Sequence, residues 1–321
     1  MVNFKSHHML YLKRALFAWV VLGSFVLRAQ QDPEYTQYMY NMNIINPAYA
    51  TGDIQTLNIG ALYRNQWVGA DGAPVTMTAF LHTPLNESVE IGISFIRDEI
   101  GDGALNENNI NADFAYVLPI GRDLNLSFGV KAGVTTFDTR FNDFQLNSGD
   151  FTSDPAFGEN ISSIFLNVGT GLFLYGNNFY FGASVPNFLD QKHIEERNGI
   201  NALGAEELHG FLTAGYVFDI NDNLKFKPSF MGRLVPNAPF SLDVNANFLI
   251  NERFEVGLSH RLDDSISGMF NVAVTEKLRL GYAYDYTTSN FGDFNSGTHE
   301  IILLFDLSFS GGRSYISPRF F

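Results

Sequence analysis

The chain has 321 residues, 45% hydrophobic and 15% aromatic, with no cysteine and a formal net charge of −14. Its charged fraction of 17% lies below the roughly 25% usual for soluble domains, and 31 Phe and 14 Tyr exclude the aromatic-poor composition of a disordered chain. The absence of cysteine excludes disulfides, thiolate metal sites and a cysteine nucleophile, and 34 acids against 20 bases argue against a nucleic-acid binder, whose footprint is basic.

Residues 1–29 read as a secretory signal peptide. Lys5, Lys13 and Arg14 form a positive start, residues 15–27 are largely apolar, and Ala29 is small enough for a cleavage site. The apolar run is too short for a transmembrane helix, which needs about 20 residues. Removing this segment takes away four bases and leaves 16 against 34 acids, a net charge of −18.

Residues 30–53 follow no strand pattern, because Pro33, Asn46 and Pro47 interrupt it. Tyr35, Tyr38, Met39, Tyr40, Met42, Ile44 and Ile45 are nonetheless too apolar for a solvated tail, so the segment is expected to dock on the remainder of the protein.

From residue 54 to 309 the dominant signal is period-two alternation. Leu124, Leu126, Phe128, Val130, Ala132 and Val134 alternate with Asn125, Ser127, Gly129, Lys131 and Gly133. Phe240–Phe248 and Leu278–Tyr286 repeat the pattern. Successive strand side chains point to opposite faces, so each segment has one greasy face and one small or polar face. About fourteen strands are expected, at 54–66, 75–83, 88–97, 109–118, 123–135, 161–175, 178–187, 208–218, 223–234, 240–250, 253–261, 266–275, 278–287 and 299–309. Every second connection is short: 84–87, 119–122, 176–177, 219–222, 251–252 and 276–277. The connections between them mostly run longer, including 136–160 and 188–207.

A soluble sandwich has no reason to sort its loops by parity, and its outer face should be rich in Lys and Glu. A barrel in an outer membrane has short periplasmic turns, longer external loops, a greasy outer face and a polar interior. The polar positions here are mostly Gly, Ser, Asn and Thr, and strands of about 10 residues suit an apolar band of roughly 25 Å. The fold class is therefore all-β, a transmembrane antiparallel β-barrel of about 14 strands, with an N-terminal segment at its periplasmic mouth or docked in its lumen. The domain plan is a signal peptide at 1–29, a periplasmic or plug segment at 30–53, the barrel at 54–309 and a periplasmic tail at 310–321.

The exported chain opens Gln31-Asp32-Pro33-Glu34-Tyr35-Thr36-Gln37-Tyr38-Met39-Tyr40-Asn41, followed by Asn46-Pro47-Ala48-Tyr49-Ala50. This stretch resembles the mature N-terminus of the PorP/SprF family of outer-membrane proteins of the Bacteroidetes type IX secretion system. Tyr63-Arg64-Asn65-Gln66-Trp67, Phe95–Gly101, Gly281–Tyr286 with His299-Glu300-Ile301, and Ser317-Pro318-Arg319-Phe320-Phe321 are similar to further family segments. Residues 136–250 carry strand pattern without a family motif. The resemblance implies support of secretion and surface anchoring of proteins bearing a type IX C-terminal signal, such as adhesins, including those of gliding motility. It implies partnership with that secreted protein and with periplasmic and outer-membrane components of the machine.

Candidates for partner contact or plugging are Gln31, Asp32, Pro33, Tyr35, Gln37, Tyr38, Asn46, Pro47 and Tyr49, with Pro318, Arg319 and Phe320 in the tail. The long outer loops offer a further recognition surface. Arg64, Lys131, Arg233, Arg279 and Asp285 fall on the polar parity, as do Glu90, Asp113 and Asp243, and are expected to face the lumen. Ion pairs that tie strands or hold a plug are favoured there over ion selectivity. Arg279 and Asp285 lie six residues apart on one strand, roughly 20 Å, so they are not direct partners.

No catalytic, cofactor or metal site is expected. His82, His193, His209, His260 and His299 lack metal-ligand spacing, and no nucleophile elbow or phosphate loop occurs. The loop from Asp98 to Gly103, with Asn106 and Asn108, offers oxygen ligands without EF-hand spacing, and a solvated acidic loop is favoured over a calcium site. The alternative to a secretion role is a diffusion channel or small-solute transporter, suggested only by the polar lumen.

Overall fold

The computed structural model describes residues 33–52, 56–140, 160–188, 191–192, 205–206, 208–236 and 238–308. The N-terminal leader, Gln31, Asp32, most of the two long loops, and the tail with Pro318, Arg319 and Phe320 lie outside the described residues.

Alternation of apolar and polar residues becomes an antiparallel meander. Its strands are β1 (Thr56–Asn65), β2 (Val75–Asn86), β3 (Val89–Ile100), β4 (Leu105–Pro119), β5 (Leu124–Thr139), β6 (Ser162–Gly176) and β7 (Phe179–Val185). They continue as β8 (Gly210–Tyr216), β9 (Leu224–Leu234), β10 (Ser241–Ile250), β11 (Phe254–Arg261), β12 (Ser265–Ala273), β13 (Leu278–Thr287) and β14 (Thr298–Ser308). β8 resumes as Phe218–Asn221 beyond Val217, so the fifteen segments of the sheet are fourteen barrel strands. The register against β9 is the same on both sides of Val217, with Gly215 opposite Ser229 and Phe218 opposite Phe226, so the interruption falls opposite Pro228, which has no N–H to donate, in a strand that alternation carries unbroken to 218. A two-residue pair, Gln191–Lys192 with Ala205–Glu206, forms separately.

The sheet closes on itself. β8 pairs with both β7 and β9, and β1 pairs with β14, with Arg64 directly opposite Glu300. Closure satisfies the backbone donors and acceptors of every strand, which is the condition for a β-structure to sit in lipid. No helix among the described residues is long and apolar enough to cross a membrane. Strand β2 runs through Pro84 to Asn86, three residues further than expected. A register shift between Pro84 and Asn86 accommodates a residue that has no N–H to donate.

The two faces are inverted relative to a soluble sandwich. Ile164 is 73% exposed, Leu258 66% and Ile110 59%, all on the outer wall. Asn111, Asp113, Ser127, Lys131, Asn245 and Glu255 are buried on the inner wall. Residues 35–50 supply ten of the 22 described residues of the buried apolar cluster, packed against inward Leu62, Phe80, Ile96, Phe173, Met231, Met269 and Ile302. The core is thus a chain segment inside a cylinder rather than a seam between two sheets.

Leu258 sits mid-strand on the outer face of β11. The Leu258→Arg variant should lose about 2–4 kcal/mol of stability in bilayers, the cost of a cation at the membrane midplane. Reversible unfolding from liposomes measures it, and an unchanged midpoint would mean that this face does not meet lipid.

Candidate functional site

Residues 33–52 fill the barrel. Tyr38–Tyr40 form a 3-10 turn and Met42–Ile45 a single helical turn, α1. Pro47 cannot continue a helix and pushes the preceding residue to extended backbone; Asn46 has φ −132° and ψ 109°. The Asn46 side chain then accepts a bond from the Ala48 N–H at 2.9 Å, an Asx turn, and the Tyr49 N–H bonds the Asn46 carbonyl at 3.0 Å. Asn46-Pro47 thus sets the bend, and every residue from Tyr35 to Thr51 is buried.

At one rim the segment meets a charge cluster. The Glu34 carboxylate accepts from both Arg233 and Arg261. Arg261 also grips Asp243 with two bonds, of 2.8 and 2.9 Å, the bidentate geometry that guanidinium and carboxylate favour. Arg64 lies 3.0 Å from both Asp285 and Glu300. The Thr36 hydroxyl accepts from Arg64 at 3.0 Å and donates to Asp285 at 2.8 Å. Glu300 accepts the backbone N–H groups of Thr36 and Gln37 at 2.9 and 2.8 Å. Asp264, in the turn after β11, faces Arg261 at 3.5 Å; burial pushes its carboxyl above the ordinary value although Arg261 pulls it down.

A second cluster holds the far end of the segment. Glu90 accepts the N–H groups of Thr51 and Gly52, each at 2.8 Å, and bonds His82 Nε2 at 2.6 Å. Between the clusters Lys131 donates to the Ile44 carbonyl at 2.7 Å and lies 3.8 Å from Asp113. Ser184 donates to the Ile45 carbonyl, and Asn245 to the Tyr38 hydroxyl. Tyr49 packs between the rings of His82 and Phe173. Glycines in the wall make room: a Cβ on Gly129 would stand 2.2 Å from the Ala48 nitrogen, and one on Gly171 2.0 Å from the Asn46 side-chain oxygen.

Of the residues expected to face the lumen, Arg64, Lys131, Arg233 and Asp285 each bind the segment through the contacts above. Arg279 is buried on the inner wall near the start of β13, well below Asp285. Tyr35, Gln37, Tyr38, Asn46, Pro47 and Tyr49 are inside the barrel and Pro33 stands at its rim. Alternation alone did not single out Arg261, Glu300 and Glu34. Arg261 and Glu300 share the inward parity of their strands, a signal that was present; the pairing of Glu34 depends on the path of a segment without periodicity. His82, within β2, is an inward-facing wall residue and a partner of Glu90. Among the described residues no three His, Asp or Glu converge as metal ligands. A cavity of about 90 Å³ remains beside Tyr35, Ile44 and Ile45, bordered by Asn109, Asn111 and Asn167.

A closed, lipid-facing barrel of fourteen strands with a filled lumen defines an outer-membrane β-barrel protein of plugged type. Residues 27–305 match the family described as "Type IX secretion system membrane protein PorP/SprF". The chain belongs to that family. Solved structures are similar to this chain at low identity. The Acinetobacter baumannii outer membrane protein Omp33 matches at 11% identity and TM-score 0.47, over 80% of this chain and all of Omp33. The toluene transporter TodX of Pseudomonas putida matches at 9% and 0.46, over 85% and 95%. A Pseudomonas aeruginosa FadL homologue matches at 11% and 0.42, over 88% and 96%. No curated protein matches the sequence.

Removing one partner of a buried ion pair costs about 3–5 kcal/mol. Arg64→Ala, which strands Asp285 and Glu300, should lower thermal stability in detergent by that order, as read from heat-modifiable gel mobility. Gly129→Val should cost about 1–3 kcal/mol by overpacking. Gly268→Ala, where an added Cβ meets nothing within 4 Å, should be neutral by the same assay.

Proposed function

We propose that this protein is a non-enzymatic barrel of the type IX secretion system that supports secretion and surface anchoring of proteins bearing a C-terminal signal, adhesins among them. Family membership over residues 27–305 carries the reading. The filled lumen supports it physically, because a barrel whose interior is held by ion pairs at one end and by hydrogen bonds to a carboxylate at the other offers scaffold and surface rather than a pore. The secreted partner is assigned to the long loops on one side. Other components of the machine are assigned to the opposite side, with the tail residues Pro318, Arg319 and Phe320 as candidates. Lipid covers the outer wall, and nucleic acid has no role.

The test is deletion of the gene followed by comparison of surface and medium proteins. Proteins with the C-terminal signal should fall at the surface and accumulate in the cell or the medium. If each reaches its usual location, with related genes also removed, the reading is wrong. Planar-bilayer recording addresses the channel alternative: the purified protein should be closed, whereas deletion of residues 33–52 should open a stable conductance.

A further inference from the structure

The contacts of residues 33–52 fall in vertical order along the barrel wall, and that order has a direction. One rim carries the ends of β1, β9, β11 and β13 and the start of β14. The connections there are mostly the long ones. The opposite rim carries the start of β1, the end of β2 and the start of β3, joined by tight turns such as 87–88. In outer-membrane barrels the tight turns are periplasmic and the longer loops external.

Glu34 binds Arg233 and Arg261, the penultimate residue of β9 and the last of β11, at the loop rim. Thr36 follows, bonded to Asp285 and Glu300 one level further in. Ile44 meets Lys131 in the middle of β5. Thr51 and Gly52 meet Glu90, the second residue of β3, at the turn rim. The chain then enters β1 at Thr56 on that same rim.

We infer that the N-terminal segment threads the barrel from the outside inwards, so that its leading end, at Pro33 and Glu34, stands at the external mouth. Glu34, clasped by two guanidiniums, is the latch that holds this end at the mouth. The segment is then no tether for periplasmic partners. What it contributes to recognition lies at the external rim, beside the loops.

The chain has no cysteine, so single introduced thiols report the topology through a membrane-impermeant maleimide applied to intact cells. Asp293→Cys, in the connection between β13 and β14, should label on intact cells. Asp222→Cys, in the turn before β9, should label only after the outer membrane is opened. Pro33→Cys should behave like Asp293→Cys. If both controls behave and Pro33→Cys labels only after opening, the threading direction is overturned. If the two controls reverse, the orientation of the barrel falls and the external position of Pro33 and Glu34 with it, while family membership is untouched. Should Pro33→Cys react in neither case, a short epitope placed before Pro33 decides. Antibody binding to intact cells supports the inference, and binding only after opening overturns it.

Discussion

Charge enclosed by a closed sheet has to be matched from within. The outer face of this barrel is surrendered to lipid, so polar residues are driven to the inner wall, where Arg64, Glu90, Asp113, Lys131, Arg233, Asp243, Arg261, Asp285 and Glu300 are all buried. An uncompensated ion in such a place is costly. Cross-strand pairing settles part of the demand: Asp243 lies opposite Arg261, and Arg64 opposite Glu300. The remainder is met by a stretch of chain that offers backbone N–H groups, a hydroxyl, a carbonyl and one carboxylate at the required heights. Filling the lumen and neutralising the wall are one solution to one constraint.

This constraint also accounts for the composition of residues 33–52. The segment needs polar handles at its ends and apolar bulk between them, because the wall presents both ions and inward Phe80, Phe173 and Met231. Tyrosine suits such a place, offering a ring to pack and a hydroxyl to bond. Tyr38 does both, packed among buried neighbours while its hydroxyl accepts from Asn245. The glycines of the facing strands are its complement, since Gly129 and Gly171 stand where the bend at Asn46-Pro47 presses closest.

Much of the wall was legible in the sequence and little of the lumen's wiring. Alternation located all fourteen strands, since a membrane barrel imposes the period-two pattern on every strand without relief. Parity also pointed Arg64, Lys131, Arg233 and Asp285 inwards. The interruption at Val217 was not visible, because it leaves both the alternation and the register of the strand unchanged. Strand parity fixes a side chain's direction and not its neighbour. Thr36 and Glu300 meet across 264 residues, a proximity created by closure and register. For the same reason Asn46-Pro47 announced a bend without announcing what the bend would face.

The seam of the cylinder and the seat of the plug are the same place. Arg64 on β1 and Glu300 on β14 face each other across the junction that turns the sheet into a barrel, and both also hold Thr36. Zipping the first strand to the last therefore juxtaposes ions whose bonding is complete only when the segment already lies between them. A barrel closed without the segment would keep the direct Arg64–Glu300 pair and lose the hydroxyl and the two backbone N–H groups that share it.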